Sequence, residues 1–390
     1  MPVLRQKFHL PHRPKLRSHL FKEAYRSILC RPADANGLAY YVGRPMSIEE
    51  LELALKTSNE YSNRVDPFTG KIKLGGKPRK VLLFGAYGNG NLGDAMQAIS
   101  LRNTIAEITS SVECWATTVL DSDYPFSTKH KLPREAIRNL DTLSQFDALV
   151  IGGGGLLSHP HAPLTDAKWV NSLPIPFAFL SVGANEPCAF QSYAAISGAA
   201  WVSGRDVESI KTLLKYRSSV QFTPDPILIE NNLHEAAQAQ AFDTCWILRG
   251  PLDENHHFIK AVFQPKDLVV GIEPEADSEL KSLFPNIVLL SDCYKLLDLI
   301  SSSKRVVSMR YHGVIFSLRL GVPIFSLRLP KGTALLNSLG LAGNAFSRAQ
   351  DLMFAKNNYD AQCFQMQRLF YYQVFKAGLL SMFATLGKNN

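Results

Sequence analysis

The chain has 390 residues, 46% hydrophobic and 19% charged, a composition that excludes a disordered polypeptide and suits two ordinary domains with a small appendage. Its formal charge of +8 favours anionic partners such as phosphates, glycan-linked diphosphates, lipid head groups or nucleic acid. No apolar run approaches the roughly 20 residues that cross a bilayer, and no continuous apolar segment follows the basic N-terminus as an export signal requires. The six cysteines are scattered singly without a Cys-x-x-Cys pair, which fits reduced thiols in a cytosolic protein and suggests no zinc site.

Residues 1–19 carry Arg5, Lys7, Arg13, Lys15 and Arg17 and read as a flexible basic arm, with docking to an anionic membrane surface as the alternative. Over 20–63, Leu20, Phe21, Ala24, Tyr25, Ile28 and Leu29 recur at helical spacing, PADANG stops that helix, and LAYYVG opens a second. Ser47 followed by Glu50 forms a capping box ahead of Leu51, Leu53 and Leu55, which predicts a third. So small a helical module buries little surface and needs something to pack on. Residues 64–79, rich in Gly, Pro and Lys, read as a linker.

From 80 to 240, apolar runs alternate with helical patterns. KVLLFGAYG, VECWATTVL, FDALVIGGGGLL, PFAFLSVGA and AAWVSGRD read as strands, and DAMQAISLRNTIAEI and VESIKTLLKY as helices. A second series fills 241–345, with DTCWILRG, DLVVGIEP, NIVLLSD, RVVSMRYH and VPIFSL as strands and YKLLDLISSS and GVIFSLRLG as helices. The pattern predicts an α/β protein of two Rossmann-like domains with parallel sheets, facing each other across a cleft. The tail, 346–390, reads as helical, its aromatic residues suited to packing on the domains or to a membrane interface.

Four segments carry candidate chemistry. In FGAYGNGNLGDAMQ (84–97), Gly85, Gly88, Gly90 and Gly93 lie in a strand-to-helix turn that can bring backbone N–H groups close to an anion or a sugar oxygen. No P-loop pattern is present, while Asn89, Asn91 and Asp94 suit hydroxyl groups. The plain alternative is a tight turn with Asp94 as the helix cap. In LVIGGGGLL, the run Gly152–Gly155 forfeits backbone order at ~1 kcal/mol per glycine relative to alanine, so a close approach of ligand or chain must offset it. His159 and His161 follow, and read as surface or cleft-lining rather than metal ligands. WVSGRDVES puts Arg205 and Asp206 after a strand, where open α/β sheets bind ligands. RVVSMRYHG puts Arg310 and His312 at the end of another; strand alternation would aim both to one side with Tyr311 opposite. An arginine offers a fixed fork for phosphate or carboxylate, and a histidine moves protons near neutral pH. Lys331, in LPKGT, follows the next strand and could reach the same cleft.

In this order, GNGNLGDAMQ, VIGGGGLL, SVGAN, VSGRDVES, TPDPIL, SMRYHGVIFSLRLGVPIFSL and the lysine of LPKGT resemble segments of the polysaccharide pyruvyl transferase family across residues 81–345. AYRSILCRPADANGLAYYVG and TSNEY resemble a small helical domain attached to bacterial glycosyltransferases, over 20–63. The first resemblance implies a two-domain fold like that of GT-B glycosyltransferases, with a C-terminal helix crossing back to the first domain. It implies phosphoenolpyruvate as donor, a sugar diol of an exopolysaccharide or capsule repeat unit as acceptor, a pyruvate ketal as product, and no metal or organic cofactor. Arg205 and Arg310 would then bind the donor, joined by Lys331, Gly153 and Gly154. His312 would be the acid/base residue, Asp94 would orient or deprotonate the acceptor, and Asn89, Gly90, Asn91 and Gly93 would form the acceptor-side loop.

Two departures, Gly204 where a bulkier residue is expected and the loosely matching SVGANEP, bear on the acceptor pocket. A nucleotide-sugar glycosyltransferase and a non-catalytic glycan-binding protein are the rival readings. Nucleic-acid binding lacks an aromatic platform motif. The expected location is cytoplasmic, peripheral at the inner face of the membrane if the acceptor is lipid-linked.

Overall fold

The computed structural model describes residues 22, 41, 44, 46–56, 58, 79–119, 130–158, 161, 163–231, 233, 240–355 and 361–386. The basic arm and, but for isolated positions, the linker and the first two expected helices lie outside them. The third helix is present as Ile48–Lys56, with the predicted box: Ser47 N donates to Glu50 Oε2 at 2.8 Å and Glu50 N to Ser47 Oγ at 3.1 Å. Leu51 and Leu55 are buried, whereas Leu53 faces out.

Seven strands, β1 (Arg79–Phe84), β2 (Val112–Thr118), β3 (Lys131–Pro133), β4 (Ala148–Gly152), β5 (Phe177–Val182), β6 (Trp201–Gly204) and β7 (Gln221–Phe222), form a sheet in the order β3-β2-β1-β4-β5-β6-β7. Six more, β8 (Cys245–Ile247), β9 (Leu268–Gly271), β10 (Val288–Leu289), β11 (Val306–Ser308), β12 (Ile324–Leu327) and β13 (Ala345–Phe346), form a second in the order β10-β9-β8-β11-β12-β13. All pairings are parallel. β1 is apolar on both faces because both are covered. Val81 and Leu83 join one cluster, and Leu82 and Phe84 join the cluster on the other side. The edge strands β3, β7 and β13 are two or three residues long, too short to leave a periodic trace in the sequence.

In each sheet the strand order reverses next to the first strand, between β1 and β4 and between β8 and β11. Connections leave in opposite directions there and open a crevice beyond the carboxyl ends. The glycine turns after β1 and β4 occupy one crevice, and the segments after β8 and β11, bearing Arg249 and Arg310, the other. One hydrophobic cluster runs beneath both domains, taking in Ile99, Ile227, Leu296, Val314 and Phe316.

The C-terminal Ala361–Leu386 helix packs against β5, β6 and β7 of the first sheet. Phe364, Phe375, Leu379 and Phe383 are buried, while Leu369 and Phe370 face outward at 62% and 63% exposure. Packing therefore accounts for most of its aromatic residues. Among the described residues no helix is long and apolar enough to cross a membrane. Phe375 is wholly buried in the shared cluster, so Phe375→Ala should destabilise the protein by ~3–5 kcal/mol, read from chemical denaturation curves.

Candidate active site

The Leu92–Ile108 helix begins at Asn91, whose Oδ1 accepts from Gly93 N at 2.9 Å and Asp94 N at 3.3 Å. Asn91 is thus the cap expected of Asp94, and Asp94 turns into the cleft instead. The Asn91 amide also donates to Glu273 of the second domain, so it joins the domains at the wall of the cavity. Asn89 lies on the cleft wall and donates to Asp94 Oδ2 at 3.5 Å. Gly90, at φ +83°, shapes the turn away from that wall. At Gly93 a Cβ would collide with the His312 imidazole, so the two domains meet there only because the position lacks a side chain.

Gly153 and Gly154 have φ of +76° and +79°, a region that favours glycine. Both are buried beneath other side chains: a Cβ on Gly154 would lie 2.8 Å from Asp94 Oδ1, and one on Gly153 3.0 Å from Gln97 Cβ. Neither is among the residues that line the cavity. They seat Asp94 and Gln97, and it is Gly155 that reaches the cavity wall.

Arg205 leaves the end of β6 and is 6% exposed. Its Nη1 donates to Asp225 Oδ2 at 3.2 Å, and its guanidinium lies over the Tyr311 ring, 4.4 Å from the centroid. In the second domain β11 ends at Ser308, whose Oγ accepts from Arg310 N at 3.0 Å and donates to Arg310 O at 2.8 Å. The chain passes at once into the Tyr311–Arg319 helix. Helical rotation replaces strand alternation, and Tyr311, expected to point away, lines the same cavity as Arg310 and His312. Arg310, 7% exposed, pairs through Nη1 with Glu273 Oε2 at 2.6 Å and through Nη2 with Asp277.

These elements enclose a cavity of about 510 Å³ lined by Asn89, Asp94, Arg205, Arg310, His312 and Lys331, with Arg249, Glu273 and Tyr311 beside them. Lys331 Nζ donates to Ser158 Oγ at 3.0 Å; burial of the ammonium and then the charge of Arg205 lower its pKa. His161 also lines the cavity, and His159 lies outside the described residues. Among the described residues no group of three or more His, Cys, Asp or Glu side chains is placed to hold a metal ion.

Burial, then the charges of Arg205, Arg310 and Lys331, lower the His312 pKa to about 3. Burial raises that of Asp94 to about 7, against the opposing pull of Arg205 and Asn89. His312 Nε2 lies 3.9 Å from Asp94 Oδ1 and has no hydrogen-bond partner. At neutral pH the imidazole is therefore uncharged, and burial favours the protonated form of Asp94 far more than water would. The arrangement can hold an anion, accept a proton at one group and deliver one from the other.

Arg249, Glu273, Tyr311 and the two aspartates were not foreseen. TPDPIL, after β7, enters the sequence reading through the family resemblance alone, and GIEP, after β9, reads as the end of a strand, although each segment sets an acid just beyond a strand end. In the unliganded protein the His312 ring should remain neutral through pH 5, as read by NMR of histidine-labelled protein; a midpoint near 6.5 would contradict the desolvated environment.

No curated protein sequence matches the chain significantly. Solved structures similar to it include the S. aureus MnaA–UDP co-structure, 12% identical, covering 76% of this chain and 97% of that one with a TM-score of 0.49. UDP-GlcNAc 2-epimerase from Neisseria meningitidis bound to UDP-GlcNAc is 13% identical over 75% of this chain and 99% of its own, at 0.45. An alpha-glucosyltransferase in complex with UDP and a mismatched 13-mer DNA is 12% identical over 77% and 94%, at 0.48. A family model described as polysaccharide pyruvyl transferase matches residues 91–329, from the Asn91 cap through both arginines and His312 to the end of β12. The chain belongs to the polysaccharide pyruvyl transferase family.

Proposed function

We propose that this protein moves the pyruvyl group of phosphoenolpyruvate onto two hydroxyls of a polysaccharide sugar, forming a cyclic ketal and releasing phosphate. The observation that carries this reading is the convergence of Arg205, Arg310 and Lys331 on one cavity that also holds His312 and Asp94. Phosphoenolpyruvate carries about three negative charges, and each charge-assisted contact with an arginine contributes ~1.5–3 kcal/mol. The proposal calls for no metal or organic cofactor.

Two hydroxyl protons leave the sugar in the reaction. One ends on the donor's methylene carbon, making it a methyl group, and the other on the departing phosphate. Protonation at the methylene makes the neighbouring carbon electrophilic; one hydroxyl attacks it, the bond to the phosphate oxygen breaks, and the second hydroxyl closes the ring. Neutral His312 is the base for the attacking hydroxyl, and protonated Asp94 is the acid for the methylene, a partial exchange of the roles expected from the resemblance.

A second cavity of about 510 Å³, lined by Val207, Ile210, Phe222, Leu228, Leu335 and Tyr371, shares Arg205, Tyr311 and Lys331 with the first. We assign it to the part of the acceptor beyond the reacting sugar, which includes the carrier if the glycan is lipid-linked at the inner face of the membrane.

Incubation with phosphoenolpyruvate and a glycan should release phosphate and add a pyruvyl ketal visible by mass spectrometry; release of nucleotide from a nucleotide-sugar instead would identify a glycosyltransferase. His312→Ala should lower kcat ~10²–10⁴-fold with little change in donor affinity, and full activity would eliminate the role. Arg310→Ala should raise the donor KM about 10- to 100-fold. A trianion beside Asp94 would offset the pull of Arg205 and add to the burial that already raises the Asp94 pKa to about 7. Donor binding should therefore take up protons near neutral pH, measurable as a buffer-dependent heat in calorimetry.

A further inference from the structure

Arg205 and Arg310, two of the three arginines that line the cavity, are held by the same device, built separately in each domain. Arg205 Nη1 donates to Asp225 Oδ2, which also accepts from Gln97 Nε2, while Asp225 Oδ1 accepts from the backbone N of Ile227 at 3.2 Å. Arg310 Nη2 donates to Asp277 Oδ1, while Asp277 Oδ2 accepts from the backbone N of Ile272 and of Glu273, each at 3.0 Å. Asp225 is 1% exposed and Asp277 is 0% exposed. Each carboxylate thus ties one guanidinium to the backbone of a turn at a strand's carboxyl end. The turn carrying Asp225 is itself braced by buried hydroxyls: Ser181 Oγ donates to Pro224 O at 2.9 Å and meets Thr223 Oγ1 at 2.9 Å. Among the described residues neither arginine's buried Nε N–H has a hydrogen-bond partner, although Arg205 Nε lies 3.8 Å from Asp206 Oδ2.

Charge alone argues against this arrangement in an anion site. A carboxylate beside an arginine weakens that arginine's pull on an incoming anion. What it supplies is geometry, because a guanidinium presents its N–H groups in a rigid plane whose value depends on orientation. An arginine already immobilised also loses less freedom on binding.

We propose that Asp225 and Asp277 are positioning residues, each fixing one guanidinium plane at the cavity wall and leaving its Nε N–H for the donor anion. The inference rests on phosphoenolpyruvate being the donor. It predicts that neutralising either acid weakens donor binding, the opposite of what charge predicts.

The test measures phosphoenolpyruvate affinity by calorimetry, and kcat and KM by phosphate release, for the wild-type protein, Asp225→Asn and Asp277→Asn, with melting temperatures taken alongside. Each variant should show a tenfold or greater rise in donor Kd and KM and a threefold or smaller fall in kcat. In an Arg205→Ala background, Asp225→Asn should add no further loss of donor affinity. Unchanged or tighter donor binding in a folded variant, or additive losses in the double variant, would overturn the positioning role. If Asp277→Asn does not fold, the Asp225 series decides the matter. A wild-type protein that binds no phosphoenolpyruvate overturns the donor reading itself, which is a different result from normal binding that the variants leave intact.

Discussion

Two guanidinium groups, 6% and 7% exposed, are buried at a single seam, and much of the architecture around them follows from that burial. Removing an ion from water costs several kcal/mol unless a partner restores what the water supplied. Here the partner comes from the same domain in each case, Asp225 for Arg205 and Asp277 for Arg310. Neither cation draws its carboxylate partner from the opposite domain, although Arg205 also lies over the Tyr311 ring of the second. The glycine turns, the serine that ends β11 and the asparagine cap all serve to bring backbone and side chains to that seam.

The approach of the domains is fixed by apolar packing beneath the cavity and by polar contacts around it. A continuous hydrophobic cluster joins the Leu92–Ile108 helix to the Cys293–Ser301 and Tyr311–Arg319 helices. Arg319, also buried, donates to the carbonyls of Glu230 and Leu233 at 2.7 Å each. Above them lie the Asn91–Glu273 hydrogen bond and the Gly93–His312 contact. The site is therefore a property of the interface. Asp94 and His312 come within 3.9 Å because two separate sheets present their carboxyl ends to each other, although the residues stand more than two hundred positions apart in the chain.

Much of this was legible in the sequence because parallel strands covered on both faces write themselves as unbroken apolar runs. Runs, caps and charged residues at strand ends point to the principal strands of both sheets, the Ser47–Glu50 capping box, and Asn89, Asp94, Arg205, Arg310, His312 and Lys331 on the cavity wall. What escaped has physical reasons. Alternation misplaces Tyr311 because it holds only while a strand lasts, and the strand ends at Ser308 rather than running on to His312. The run at Gly153 and Gly154 announces a close approach without saying what approaches, and Asp94 and Gln97 are what lie against it. Asp225 and Asp277 were passed over because an acid that closes a turn looks the same in sequence whether or not an arginine from elsewhere rests on it.

The same burial reverses the order of proton affinity in the cavity. In water a histidine holds its proton to higher pH than an aspartate; here Asp94 stands at about 7 and His312 at about 3. Desolvation disfavours both charged forms, raising the acid and lowering the base. The cations then press His312 further down, while Arg205 only partly offsets the rise at Asp94. One physical cause thus leaves a protonated carboxyl and an unprotonated imidazole side by side near neutral pH, the pairing that lets one cavity give a proton and take another. The positive charge at the seam is then more than an anion clamp, because it adds to burial in keeping the imidazole unprotonated.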